Sequence, residues 1–104
     1  MSGHELTVDR RVVDEIVRLA ALEIPGVARV SRGGPAWRTF LAGPAIATHL
    51  TADGVRVRVW IVARPGQALD SLTGQVRAAV GAAVERLLDL RLESVTVTVD
   101  GVGA

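Results

Sequence analysis

The sequence contains no cysteine and no lysine, and only three of its 104 residues are aromatic. Without cysteine, disulfides, thiolate metal sites and thiol catalysis are excluded. The twelve basic residues are all arginines and face eleven carboxylates, leaving a formal charge of +1. Although the pI is near 9.0, so even a balance demands no polyanionic partner. No apolar run approaches the roughly 18–20 residues of a membrane span, so no direct membrane insertion is expected. Residues Met1 to Arg10 hold no apolar stretch of the kind that marks a secretory signal, and the expected location is the cytoplasm. The two histidines, His4 and His49, lie far apart and offer no metal-ligand spacing. Ser31, Ser71 and Ser94 sit at turns and caps, and no carboxylate pair is placed for acid–base work. Arg32-Gly33-Gly34-Pro35 lacks the lysine of a phosphate loop. Neither an enzyme nor a cofactor site is expected.

What is present is a packed domain. Hydrophobic residues make up 49%, mostly Val, Ala and Leu, which argues against disorder. A chain of this length buries roughly two-thirds of its unfolded surface, so residues 1–104 are read as a single domain. The centre of the pattern is Ala45 to Ala63, two alternating segments around Asp53-Gly54, a strong two-residue hairpin signal. With Asp53 and Gly54 as the loop, Leu50 faces Val57, Thr48 faces Val59 and Ile46 faces Ile61 on an apolar side. Thr51 then meets Arg56, His49 meets Arg58 and Ala47 meets Trp60 on the other.

Around this hairpin, Leu6 to Val8 suit a short first strand, and Asp9 suits the N-cap of a helix over 10–23. Val13, Ile16, Val17 and Ala20 recur at helical spacing, with Arg11–Glu15 and Asp14–Arg18 placed for i,i+4 ion pairs. Pro25-Gly26 ends that helix and Val27 to Arg32 reads as a short strand. A long helix from Leu69 to Leu90 carries Leu69, Leu72, Val76, Ala79, Val80, Ala83, Leu87 and Leu90 as its apolar stripe. Gly74, Ala78 and Gly81 fall opposite, either as small residues tolerated on a solvent face or as a place for the close approach of a protomer, the first being the stronger reading. The last strand runs from Ser94 to Asp100 with its valines inward and Thr96 and Thr98 outward. The order is (short β)-α-β-β-β-α-β. The class is α+β, a mainly antiparallel sheet with two helices packed on one face and the other face open.

Two places qualify as a contact surface. Arg56, Arg58 and Trp60 line the open sheet face; basic residues beside an aromatic resemble a platform for single-stranded RNA. A solvated or self-associating face is the stronger reading, because a second stacking aromatic is missing. The stretch 31–44 has no clean period, yet carries Trp37, Phe40 and Leu41. These either plug one end of the core or form an exposed apolar tip for a partner. Of the two tryptophans, Trp60 is the expected contact, since a rigid strand presents it.

Ala20-Ala21-Leu22-Glu23-Ile24-Pro25-Gly26-Val27 resembles the A-A-x-E-(V/I)-P-G-V signature of the bacterial alkaline shock, or envelope stress response, protein family. The Asp53 to Val62 hairpin and the strand Val95 to Val102 fit the same pattern, so the resemblance spans nearly the whole chain. It implies a small, cytoplasmic, non-enzymatic protein tied to envelope or alkaline stress. It also implies action by self-association or through a membrane-anchored family member. The alternative function is a small RNA-binding domain.

Overall fold

The computed structural model describes residues 9–103; the expected strand at Leu6 to Val8 and His4 lie outside them. Helix α1 spans Arg10–Leu22, and the Asp9 side chain caps it by accepting from the Arg11 backbone N–H at 2.9 Å. Val13, Val17, Ala20 and Ala21 form its buried face. The expected ion pairs are replaced by Arg11 with Asp9 and Arg18 with Glu15. Asp14 instead accepts from the buried Thr48 hydroxyl at 3.0 Å, because its side of α1 faces the sheet rather than water.

Four strands follow: β1 (Val27–Val30), β2 (Ile46–Thr51), β3 (Gly54–Ala63) and β4 (Leu92–Val102). The central strand is β3. Along one of its edges β2 pairs with the first half and β1 with the second, both antiparallel; β4 runs parallel along the other. The sheet is therefore mainly antiparallel. Its one parallel pair follows from the connection: α3 (Leu69–Leu88) is a crossover, and a crossover helix returns the chain in its original direction.

The hairpin register differs from the sequence expectation by two residues. Leu50 pairs with Val55, Thr48 with Val57 and Ile46 with Val59, while His49 faces Arg56 and Ala47 faces Arg58. A shift of two keeps every side chain on its expected face. The turn is Ala52-Asp53, tightened by the Asp53 N–H bonding to Thr51 Oγ1 at 3.2 Å. Gly54 belongs to the strand at φ 144°, where a side chain would strike the Arg91 carbonyl.

Helices α1 and α3 cover the face carrying Val55, Val57, Val59 and Ile61, all fully buried. On α3 the buried stripe is Leu72, Val76, Val80, Gly81 and Val84. Each of its four large side chains contributes about 1.5–3 kcal/mol by leaving water. Leu69 and Leu87 are exposed; they share the side of the buried stripe but lie in the first and last turns of the helix. Gly81 lies inward, close against Leu92, so its lack of a side chain serves packing within the chain. The helix begins at Ala68 without a side-chain cap and ends at Asp89 in a left-handed conformation.

The stretch read as irregular contains a further helix, α2 (Ala36–Ala42), which follows Pro35 and stops at Gly43 with φ 95°. Seven residues are too few for the periodicity to stand out between glycines and prolines.

Candidate interaction surface

On the open side of the sheet, rows of side chains run across β2, β3 and β4: His49, Arg56 and Ser94, then Ala47, Arg58 and Thr96. Trp60 and Thr98 form the next row, where the Trp60 N–H bonds to the Ala45 carbonyl as β2 gives way to β1. Alternation puts Arg56, Arg58 and Trp60 on this side, as expected. Their surroundings differ from the expectation.

Trp60 is buried, with 9% of its surface exposed. After β1 the chain crosses this face from the β1 edge to β4, where the Gly33 N–H bonds to Asp100 Oδ2 at 2.9 Å. A side chain at Gly33 would collide with the Asp100 carbonyl, so only glycine permits this crossing. Arg32, one residue earlier, lays its guanidinium 3.6 Å from the centroid of the Trp60 ring, with Arg58 at 5.0 Å. Arg32 Nε also donates to the Pro44 carbonyl at 3.3 Å, tying the two ends of the α2 segment together. The aromatic expected to be offered to a partner is thus covered by the protein's own cations. Among the described residues, the exposed His49 is the ring left uncovered on this face, and Trp60 does not provide a platform for stacking a base.

Arg56 is also engaged. Its Nε donates to Glu93 Oε1 at 2.7 Å, and Thr51 Oγ1 donates to Glu93 Oε2 at 2.9 Å. The Arg56 hydrogen bond, then that from Thr51, holds the Glu93 carboxyl below the usual carboxylate range. The positive character of the face is correspondingly muted.

Trp37, Phe40 and Leu41 are the reverse case. They are 66%, 84% and 75% exposed, and their i, i+3, i+4 spacing puts them on one side of α2. None belongs to the core cluster or packs against it. Of the two readings, the exposed tip is the one the structure has. Large apolar side chains grouped on the surface mark contact sites more often than isolated ones do.

Sequence reasoning missed Arg32 over Trp60, Glu93 beneath Arg56, and the Asp14–Thr48 link. The Gly33-Gly34 pair was the available signal for the first, because adjacent glycines permit two backbones to approach. Among the described residues no group of three or more His, Cys, Asp or Glu is placed to hold a metal ion. No helix among them is long and apolar enough to cross a membrane.

Comparison with known proteins agrees with the signature at Ala20 to Val27. The model of the alkaline shock protein family, described as having a cell envelope-related function, matches residues 2–104. No curated protein matches the chain. Among solved structures, a zinc form of the MamM CTD is 20% identical, with 88% of this chain and 85% of that one covered and a TM-score of 0.58. A manganese form is 20% identical over 89% and 99%, also at 0.58. A copper form is 19% identical over 89% and 98%, again at 0.58. At such identity the likeness is one of fold, and the metals are those of the MamM forms.

Proposed function

Because the chain belongs to the alkaline shock protein family, whose function is cell envelope-related, we propose that it is a non-catalytic interaction module acting at the cytoplasmic side of the envelope. In this reading α2 is the surface that meets a membrane-proximal protein partner. The observation that carries it is the exposure of Trp37, Phe40 and Leu41 on one side of a short helix. An aromatic buried at the centre of an interface contributes about 2 kcal/mol or more, far above what rim charges contribute. The partner holds the protein near the membrane.

Membranes of the native host test this. Wild type is expected to sediment with them, and the Trp37→Ala, Phe40→Ala double variant to stay in solution with an unchanged melting curve. Equal sedimentation of both removes α2 as the contact. Binding to vesicles made of host lipid alone means that the bilayer, and not a protein, is what α2 meets.

A further inference from the structure

The two edges of the sheet are built differently. One is broken into β1 and β2, four and six residues long, separated by a glycine- and proline-bearing segment. The other is β4, eleven residues without proline. Among the described residues no strand pairs with its outer side. From Ser94 to Val99 it alternates Val with Ser or Thr and carries no charge. Folded proteins protect such edges with charge, proline or short length, since a row of free N–H and C=O groups recruits another strand.

The charges that flank the run are turned away from the edge. Glu93 is held by Arg56 and Thr51 on the open face, and Asp100 accepts from the Gly33 N–H. Val95, Val97 and Val99 face the core yet are only half-buried, and among the described residues no strand lies beyond them. Core-facing valines left half-exposed beside an unpaired backbone form an incomplete layer.

We propose that this edge is completed by β4 of a second copy, antiparallel about a two-fold axis at Val97. A strand on such an axis must be complementary to itself. About Val97, Val95 meets Val99, Thr96 meets Thr98, Leu92 meets Val102 and Ser94 meets Asp100, with no like charges opposed. Two four-stranded sheets then join into one, and the half-exposed valines of each copy cover those of the other. This deepens the interaction-module reading by naming a partner, and it uses a surface separate from α2.

The register is tested by exchanging charges at Thr96 and Thr98, both exposed. Sedimentation of wild type over a concentration series should show a dimer. A Thr96→Lys, Thr98→Lys variant and a Thr96→Glu, Thr98→Glu variant each place like charges opposite one another. Both should dissociate at least about tenfold more readily, with melting curves showing that each is folded. Mixing the two should restore a dimer containing one of each. The proposal is overturned if wild type is monomeric throughout the series, or if both charged variants self-associate as wild type does. It is also overturned if the mixture remains monomeric. The Trp37→Ala, Phe40→Ala variant should keep the wild-type self-association, so failure of the β4 interface and failure of the α2 reading are told apart.

Discussion

The two tryptophans have exchanged the roles that their sequence positions imply. Trp60 lies in a rigid strand yet is sealed by Arg32 and flanked by Arg58, whereas Trp37 in the glycine- and proline-bounded segment stands in solvent. Trp60→Ala leaves a cavity in a packed site and two guanidinium groups without their ring, and should destabilise the fold by about 3–5 kcal/mol. Trp37→Ala removes little packing and should change stability by less than about 0.5 kcal/mol. Chemical denaturation of both variants checks the ranking, and equal losses would mean that α2 is folded onto the core in solution. The side on which Trp60 lies was legible, because alternation along β3 determines it. Its cover was not, since Arg32 reaches it through a segment whose path depends on a tertiary contact between Gly33 and Asp100. Spacing along a chain carries no record of such a crossing beyond the glycines that permit it.

Elements show a similar division. The existence of α1, α3 and the hairpin was legible from period, cap and turn residues, while register and strand direction were decided by neighbours. Ala52-Asp53 wins over Asp53-Gly54 as the turn because Gly54 is needed in the strand, where the Arg91 carbonyl lies against it. β4 begins with a register shift between Leu92 and Ser94, which lets Leu92 pack on the core while Glu93 meets Arg56 and Thr51. That arrangement has a pH signature. The Arg56 and Thr51 hydrogen bonds lower the Glu93 pKa below the ordinary glutamate value of 4.5. A lowered acid stabilises the folded chain above its unfolded pKa and loses that contribution as pH falls through its folded pKa. Stability should therefore decline on acidification below about pH 4.5, and Glu93→Gln should flatten that part of the profile. Asp9, lowered chiefly by the Arg11 backbone N–H, adds to the same decline, so the flattening should be partial. Denaturant midpoints for wild type and Glu93→Gln from neutral to acid pH test this. Parallel curves would show that the Glu93 contact does not persist in solution.

Taken whole, the molecule separates what holds it together from what it offers. The core lies between the helices and one sheet face, and the opposite face is occupied by internal contacts at Trp60 and Arg56. Among the surfaces left outward are α2 and the β4 edge. A long unpaired edge left in water favours uncontrolled pairing, so a controlled two-fold pairing serves solubility as well as function. Such pairing must appear in the stability of the protein, because a partner that binds only the folded form shifts unfolding by mass action. The wild-type melting temperature should rise with protein concentration. That of the Thr96→Lys, Thr98→Lys variant should not, and at high dilution the two should converge, since both threonines are exposed and outside the core. The Trp37→Ala, Phe40→Ala variant should follow the wild-type dependence. Scanning calorimetry over a wide concentration range decides the matter. A melting temperature independent of concentration in wild type would leave β4 as an edge shielded some other way, and a dependence lost in the α2 variant would move self-association to Trp37 and Phe40.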